Sequence, residues 1–130
     1  MRVLFVDDNA LLAISDASVA ADYGHEGVTA ISGNEACKLL AKEHFDAIIT
    51  DMQMPDGNGL VILEWVHAHA LHIPTLLHSG NDFHLVNGDL IPLREEIKKY
   101  PFAQYAPKAA YHHVECFLES VANASAIAAQ

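Results

Sequence analysis

Apolar runs of strand length, each separated from the next by a stretch with helical period, constrain this chain more than any other feature. Val3-Leu4-Phe5-Val6 is apolar at four consecutive positions. A strand with one wet face alternates apolar and polar residues, whereas an unbroken run suits a strand covered on both faces, as in a parallel sheet. Gly27–Ile31, Phe45–Thr50, Pro74–His78 and Phe102–Ala106 are the further strand candidates. The intervening segments carry helix signals. Asn9 caps a helix running to about Ala21, with Leu12, Ala13, Ala17 and Ala20 on one face, and Gly24 supplies the left-handed residue that ends it. Ser32 or Asn34 caps a second helix through Lys42, packed through Ala36, Leu39 and Leu40. Asn58 caps a third, from Gly59 to about Ala70. Pro92–Tyr100 reads as a short charged helix, with proline in its first turn. Ala109–Ala126 closes the chain as a helix buried through Val114, Phe117, Leu118, Val121 and Ala122. Asn81–Leu90 contains Asn87-Gly88-Asp89, has no clear period and reads as irregular. Strand and helix alternate five times, which predicts an α/β parallel sheet with helices on both faces.

The 130 residues suffice for one domain with a proper core. The formal net charge of -10 argues against a nucleic-acid-binding surface. No stretch approaches the roughly 20 apolar residues of a transmembrane helix. Met1-Arg2 leads straight into a strand, so no signal peptide is expected and the chain reads as cytoplasmic. Cys37 and Cys116, inside helical patterns, read as free buried thiols in a reducing compartment. The nine histidines include His67, His69 and His72 near one helix end and His112-His113 at the start of another. None has the i, i+4 pairing of a helical zinc site, and solvated helix faces explain them.

In sheets of this kind the site lies at the carboxyl ends of the strands. The predicted strands end on chemistry: Asp7-Asp8 after Val6, Asp51 after Thr50, Ser79 after His78, and Lys108 shortly after Tyr105. Three acids, a hydroxyl and an amine converge on one edge. A phosphoryl group approaching these carboxylates would be repelled without a cation. A hard, oxygen-only donor set points to Mg²⁺ or Mn²⁺ and not to zinc. Asp51 is then the natural nucleophile, forming an aspartyl-phosphate. Lys108 would neutralise the transferred group as a point cation, and Ser79 would hydrogen-bond one of its oxygens. His78, just before Ser79, could sense the phosphate.

With these motifs in place, the chain resembles the receiver domain of bacterial two-component response regulators across essentially its whole length. The motifs are Val6-Asp7-Asp8-Asn9, Asp51-Met52-Gln53-Met54-Pro55-Asp56-Gly57-Asn58-Gly59-Leu60, Ser79-Gly80, and Tyr105 three residues before Lys108. The resemblance implies one receiver domain over residues 1–130, with a flavodoxin-like (βα)5 three-layer sandwich and strand order 2-1-3-4-5. It implies phosphotransfer to Asp51 from a phosphohistidine on a histidine kinase or phosphotransfer protein. Mg²⁺ would be held by Asp8, Asp51 and the backbone carbonyl of Gln53, with Asp7 acting through water. Ser79 and Tyr105 would form a switch pair. The fourth helix, fifth strand and fifth helix would bind a downstream protein, and a homodimer is compatible with the pattern. Such a domain catalyses only its own phosphotransfer and dephosphorylation and is not otherwise an enzyme.

Three departures stand out. The family commonly has Lys-Pro with a cis peptide; here the order is Pro107-Lys108-Ala109. A cis bond before alanine costs roughly 2.5–4 kcal/mol, against about 0.5–1 before proline, so Lys108–Ala109 is either strained or the loop is rebuilt. Asn58 stands where aspartate is common. The stretch between Ser79 and Lys108 is longer than usual, with the extra residues in Asn81–Leu90. Other classes fit less well. A haloacid dehalogenase-type phosphatase needs an acid where Gln53 stands, and a flavin carrier would have its phosphate repelled by Asp7-Asp8. The alternative within the resemblance is a degenerate receiver-like module that binds its partner without phosphorylation.

Overall fold

The computed structural model describes residues 1–80, 83–108 and 112–128, with backbone only for Val86, His112 and residues 125–128. The elements are β1 (Arg2–Val6), α1 (Ala10–Asp22), β2 (Glu26–Ala30), α2 (Gly33–Lys42), β3 (Ala47–Asp51) and α3 (Gly59–Ala68). They continue with β4 (Thr75–Ser79), β5 (Phe83–Val86), β6 (Asp89–Pro92), α4 (Leu93–Glu96), β7 (Ala103–Pro107) and α5 (His112–Ala128). A single 3-10 turn over Ile97–Lys99 follows α4 directly.

Five strands form a parallel sheet in the order β2-β1-β3-β4-β7. This is the expected order, with β7 as the fifth strand of the sheet because a hairpin adds two strands before it. The unbroken apolar runs are buried on both faces. Val3, Phe5, Ile49, Leu76 and Ala106 point to one side and pack with Ala20 of α1 and Val114, Phe117, Leu118 and Val121 of α5. Leu4, Val6 and Ile48 point to the other and meet Ala36 and Leu40 of α2 and Ile62 and Val66 of α3. A third cluster joins Leu77 to Leu60 and Leu63 of α3, Leu93 of α4, and Ile97 and Tyr100. Each Val, Leu, Ile or Phe among them contributes about 1.5–3 kcal/mol by burial. A one-residue slip would exchange the two faces of a strand, so both layers of helices pin the register.

The caps behave as local chemistry requires. The side-chain oxygens of Asn9, Ser32 and Asn58 accept the Leu12, Glu35 and Leu60 amides at 3.3, 3.0 and 3.0 Å. Ser32, not Asn34, is the α2 cap. Asn34 instead bonds Asp56 through its side chain at 2.8 Å, tying α2 to the loop after β3. Gly24 has φ +84 just beyond α1.

Three expectations are corrected. Asn81–Leu90 is not irregular over its described part: β5 and β6 pair antiparallel, with Val86 opposite Asp89. Asn87 and Gly88 form the turn with φ of 51 and 86, the conformation that two-residue hairpin loops demand and that Asn-Gly supplies. Strands this short carry too little period to register in a sequence, and the dipeptide was the available signal. Residues 81 and 82 lie outside the described part. The Pro92–Tyr100 helix shrinks to one α-turn plus the 3-10 turn, with Pro92 as its cap residue. Cys37 and Cys116 are free, but Cys37 is half-buried and Cys116 exposed, so they are not core thiols. Among the described residues no helix is long and apolar enough to cross a membrane.

Candidate functional site

Parallel register brings the strand ends level. Val6 lies beside Thr50, Asp51 beside His78, and Ser79 beside Pro107. Asp7, Asp51, Ser79 and Lys108 therefore meet at one edge although they come from four different strands or their ends. The backbone beneath them is tightly held. The Asp7 amide donates to the Ala30 carbonyl at 3.1 Å, and the Lys108 amide to the Ser79 carbonyl at 2.8 Å. Gly59 is needed where α3 crosses the sheet: a Cβ there would sit 2.8 Å from the Asp51 carbonyl oxygen and 2.5 Å from Leu77 Cδ1.

Lys108 organises the charges. Its Nζ donates to Asp51 Oδ2 at 3.0 Å and to Asp7 Oδ2 at 3.3 Å. The remaining oxygens are held by backbone: Asp51 Oδ1 accepts from the Met52 amide at 2.8 Å, and Asp7 Oδ1 from the Asn9 amide at 2.9 Å. Asp7 and Asp51 are buried, at 6% and 9% exposure. Burial disfavours the Lys108 charge, but hydrogen bonding and attraction to Asp51 and then Asp7 outweigh it and raise the lysine above its ordinary value. The Lys108 ammonium is thus delivered to the acids. The Lys108–Ala109 peptide itself lies outside the described residues.

Asp8 completes the acid set. Asp7, Asp8 and Asp51 each offer a carboxylate oxygen within 4.8 Å of the others. Asp8 is exposed, which leaves room for water ligands. Hard oxygens with open solvent positions fit Mg²⁺ or Mn²⁺. Gln53 sits two residues beyond Asp51 in the loop after β3 and is exposed. Ser79 ends β4 fully buried, with its carbonyl on Lys108. Tyr105 lies on β7 beside Leu77, half-buried, with the Arg94 guanidinium 4.9 Å from its ring centroid.

Arg94 was not singled out in the sequence, and no local signal would have found it. His78 was flagged only as a neighbour of Ser79. It is 8% exposed and lines a cavity of about 170 Å³ together with Asp7, Asp16, Asp51 and Lys108. Burial first, and then the Lys108 charge, press its pKa below the ordinary value. His67, His69 and His72 are exposed on or beside the end of α3, as expected.

A model of the response regulator receiver domain family matches residues 3–87. A response regulator receiver protein of Anaeromyxobacter sp. (strain Fw109-5) is 46% identical over 58 residues, 45% of this chain and 24% of that protein. The response regulator FleR of Pseudomonas aeruginosa is 36% identical over 81 residues, 61% of this chain and 17% of FleR. The chain thus spans a quarter or less of the length of these relatives. In structure it is similar to the receiver domain of Francisella response regulator 1452, with a TM-score of 0.80 at 20% identity, covering 95% of this chain and 98% of that one. At that identity the likeness speaks for the fold. With the family match over most of the sheet, and with the acids and lysine gathered at its edge, the chain belongs to the response regulator receiver domain family.

Proposed function

We propose that this chain is a phosphoacceptor switch in which Asp51 takes a phosphoryl group from a phosphohistidine. The observation that carries the reading is the bridge from Lys108 to Asp51 and Asp7 at 3.0 and 3.3 Å. It leaves Asp51 buried on its flanks and paired with a cation suited to a phosphoryl oxygen. A carboxylate oxygen of Asp51 attacks phosphorus, the donor's P–N bond breaks, and the imidazole leaves after taking up a proton. The product is a mixed anhydride, later hydrolysed to carboxylate and inorganic phosphate. Asp8, Asp51 and the Gln53 carbonyl, with Asp7 through water, would hold Mg²⁺, which when bound offsets the repulsion between carboxylates and phosphoryl oxygens. Lys108 then exchanges part of its contact with Asp51 for the new group, and the Ser79 hydroxyl gains an acceptor.

The donor would be a histidine kinase or a phosphotransfer protein. The readout would be a protein partner at the surface built from α4, β7 and α5, with Tyr105 and Ser79 as the switch pair. On this reading the chain catalyses only its own phosphorylation and dephosphorylation.

Incubation with acetyl phosphate and Mg²⁺, followed by intact mass measurement, tests it. Wild type should gain one phosphoryl group and Asp51→Asn none. A wild type that gains none in the presence of Mg²⁺ would sink the reading in favour of a module that docks without phosphorylation.

A further inference from the structure

The lengthened segment between β4 and β7 carries an arginine onto the face of the sheet where Ser79 and Tyr105 stand. β6 ends at Pro92, opposite Phe83 of β5, and α4 starts at the next residue. Leu93 is wholly buried in the cluster of Leu77, Ile97 and Tyr100, which anchors the turn that bears Arg94. Arg94 itself is exposed, and its guanidinium carbon lies 4.9 Å from the centroid of the Tyr105 ring. A cation within about 6 Å of a ring centroid is attracted by the negative face of the ring. The two acids of the same turn, Glu95 and Glu96, pair with Lys98 and Lys99 at 2.9 and 3.0 Å, so neither draws the guanidinium off the ring. On β7 Tyr105 is level with Leu77, as Pro107 is with Ser79. Strand alternation therefore puts Tyr105 and Ser79 on one face of the sheet. Tyr105 packs inward against the Leu77–Leu93 cluster. Alongside, it borders a cavity of about 300 Å³ that Arg94, Pro107 and Phe117 also line. The ring has room to move on that side, and the guanidinium covers it.

We propose that Arg94 is a latch on the switch: in the unphosphorylated chain its guanidinium holds the Tyr105 ring in its half-buried place, and this contact opposes the rearrangement that phosphorylation of Asp51 drives. A contact made in only one of two states shifts the balance between them by its own energy. A cation–π contact at an exposed site corresponds to a factor of about two to five. Arg94 touches neither Asp51 nor the transferred group. It acts through Tyr105 and is a positioning residue. The hairpin supplies the physical link, because β6 runs straight into α4 and so sets where Arg94 lies. The latch rests on the reading of Asp51 as phosphoacceptor with Ser79 and Tyr105 as its switch pair; the contact between Arg94 and Tyr105 does not.

Beryllofluoride, a phosphoryl mimic, is titrated with Mg²⁺ into the full chain and followed by NMR through the Met52 amide, which donates to Asp51 Oδ1. Arg94→Gln should lower the half-saturating concentration about two- to fivefold. Loss of a positive charge near an anion site would by itself raise that concentration, so the sign separates the two effects. In a Tyr105→Leu background Arg94→Gln should change nothing. In a Tyr105→Phe background, which keeps the ring face, it should lower the concentration as in wild type. An Arg94→Gln value equal to or above wild type overturns the proposal, as does the same fall in the Tyr105→Leu background. If Tyr105→Leu does not fold, the Arg94 side chain decides. In the unmodified chain the ring shifts the Arg94 δ-methylene protons upfield, and saturating beryllofluoride should abolish that shift; a shift that persists overturns the proposal. A wild type whose Met52 amide responds to no concentration of beryllofluoride defeats the phosphoacceptor reading, and the latch with it. A wild type that responds while Arg94→Gln matches it defeats the latch alone.

Discussion

Replacing Lys108 with methionine keeps most of the side chain's length and removes its charge. Three carboxylates within 4.8 Å of one another then face each other without the ammonium that now bridges two of them. Fully buried pairs lose about 3–5 kcal/mol when one partner is removed, and exposed pairs about 0–1. This site lies between: the side chains of Asp7 and Asp51 are 9% and 10% exposed and that of Lys108 33%. A loss of about 1–3 kcal/mol follows in the absence of divalent cation. Mg²⁺ should reverse it. A ligand that binds only the folded state stabilises by about 2.7 kcal/mol at a hundred times its dissociation constant. Lys108 also competes with a cation for the same oxygens, so the variant should gain more from Mg²⁺ than wild type does. Urea unfolding followed by Trp65 fluorescence, near neutral pH and low salt, with chelator and then with millimolar Mg²⁺, measures both quantities. Asp51→Asn should soften the loss, since it removes one of the opposed charges. A variant within about 0.5 kcal/mol of wild type in chelator, with no larger gain from Mg²⁺, would refute the view that Lys108 balances this acid set.

Gly59→Ala would gain up to about 1 kcal/mol of helix propensity but place a Cβ 2.8 Å from the Asp51 carbonyl oxygen. Overpacking costs about 1–3 kcal/mol, so urea unfolding should show a net loss; a stabilised variant would contradict the close approach. Gly88→Ala meets no atom within 4 Å, yet φ is +86. The cost is conformational, about 1–2 kcal/mol, and should appear as faster amide exchange in β5 and β6 with an unchanged global midpoint; unaltered hairpin exchange would count against the turn assignment. His78 has a folded pKa below its unfolded value of about 6.5. Between those two values the unfolded chain binds a proton that the folded chain does not, so stability falls as pH drops through that window. His78→Leu should flatten that part of the pH–stability curve, and an identical slope in the two proteins would show that His78 does not titrate this way.

The parallel sheet, its helix caps and the polar residues that end its strands were legible in the order of the residues alone. These are local properties. Unbroken apolar runs such as Val3–Val6 mark strands covered on both faces, and Asn9, Ser32 and Asn58 cap through amides two or three residues away. The hairpin was encoded by Asn87-Gly88 but masked by strands of four residues. The meeting of Lys108 with Asp51 and Asp7, 57 and 101 residues earlier in the chain, was suggested by the polar residues that end the strands and realised only in three dimensions. The Arg94 guanidinium over Tyr105 likewise exists only in three dimensions. Such contacts depend on which strands are neighbours and on their register. Those are decided by packing helices against both faces of the sheet at once, a cooperative choice that no window of sequence contains.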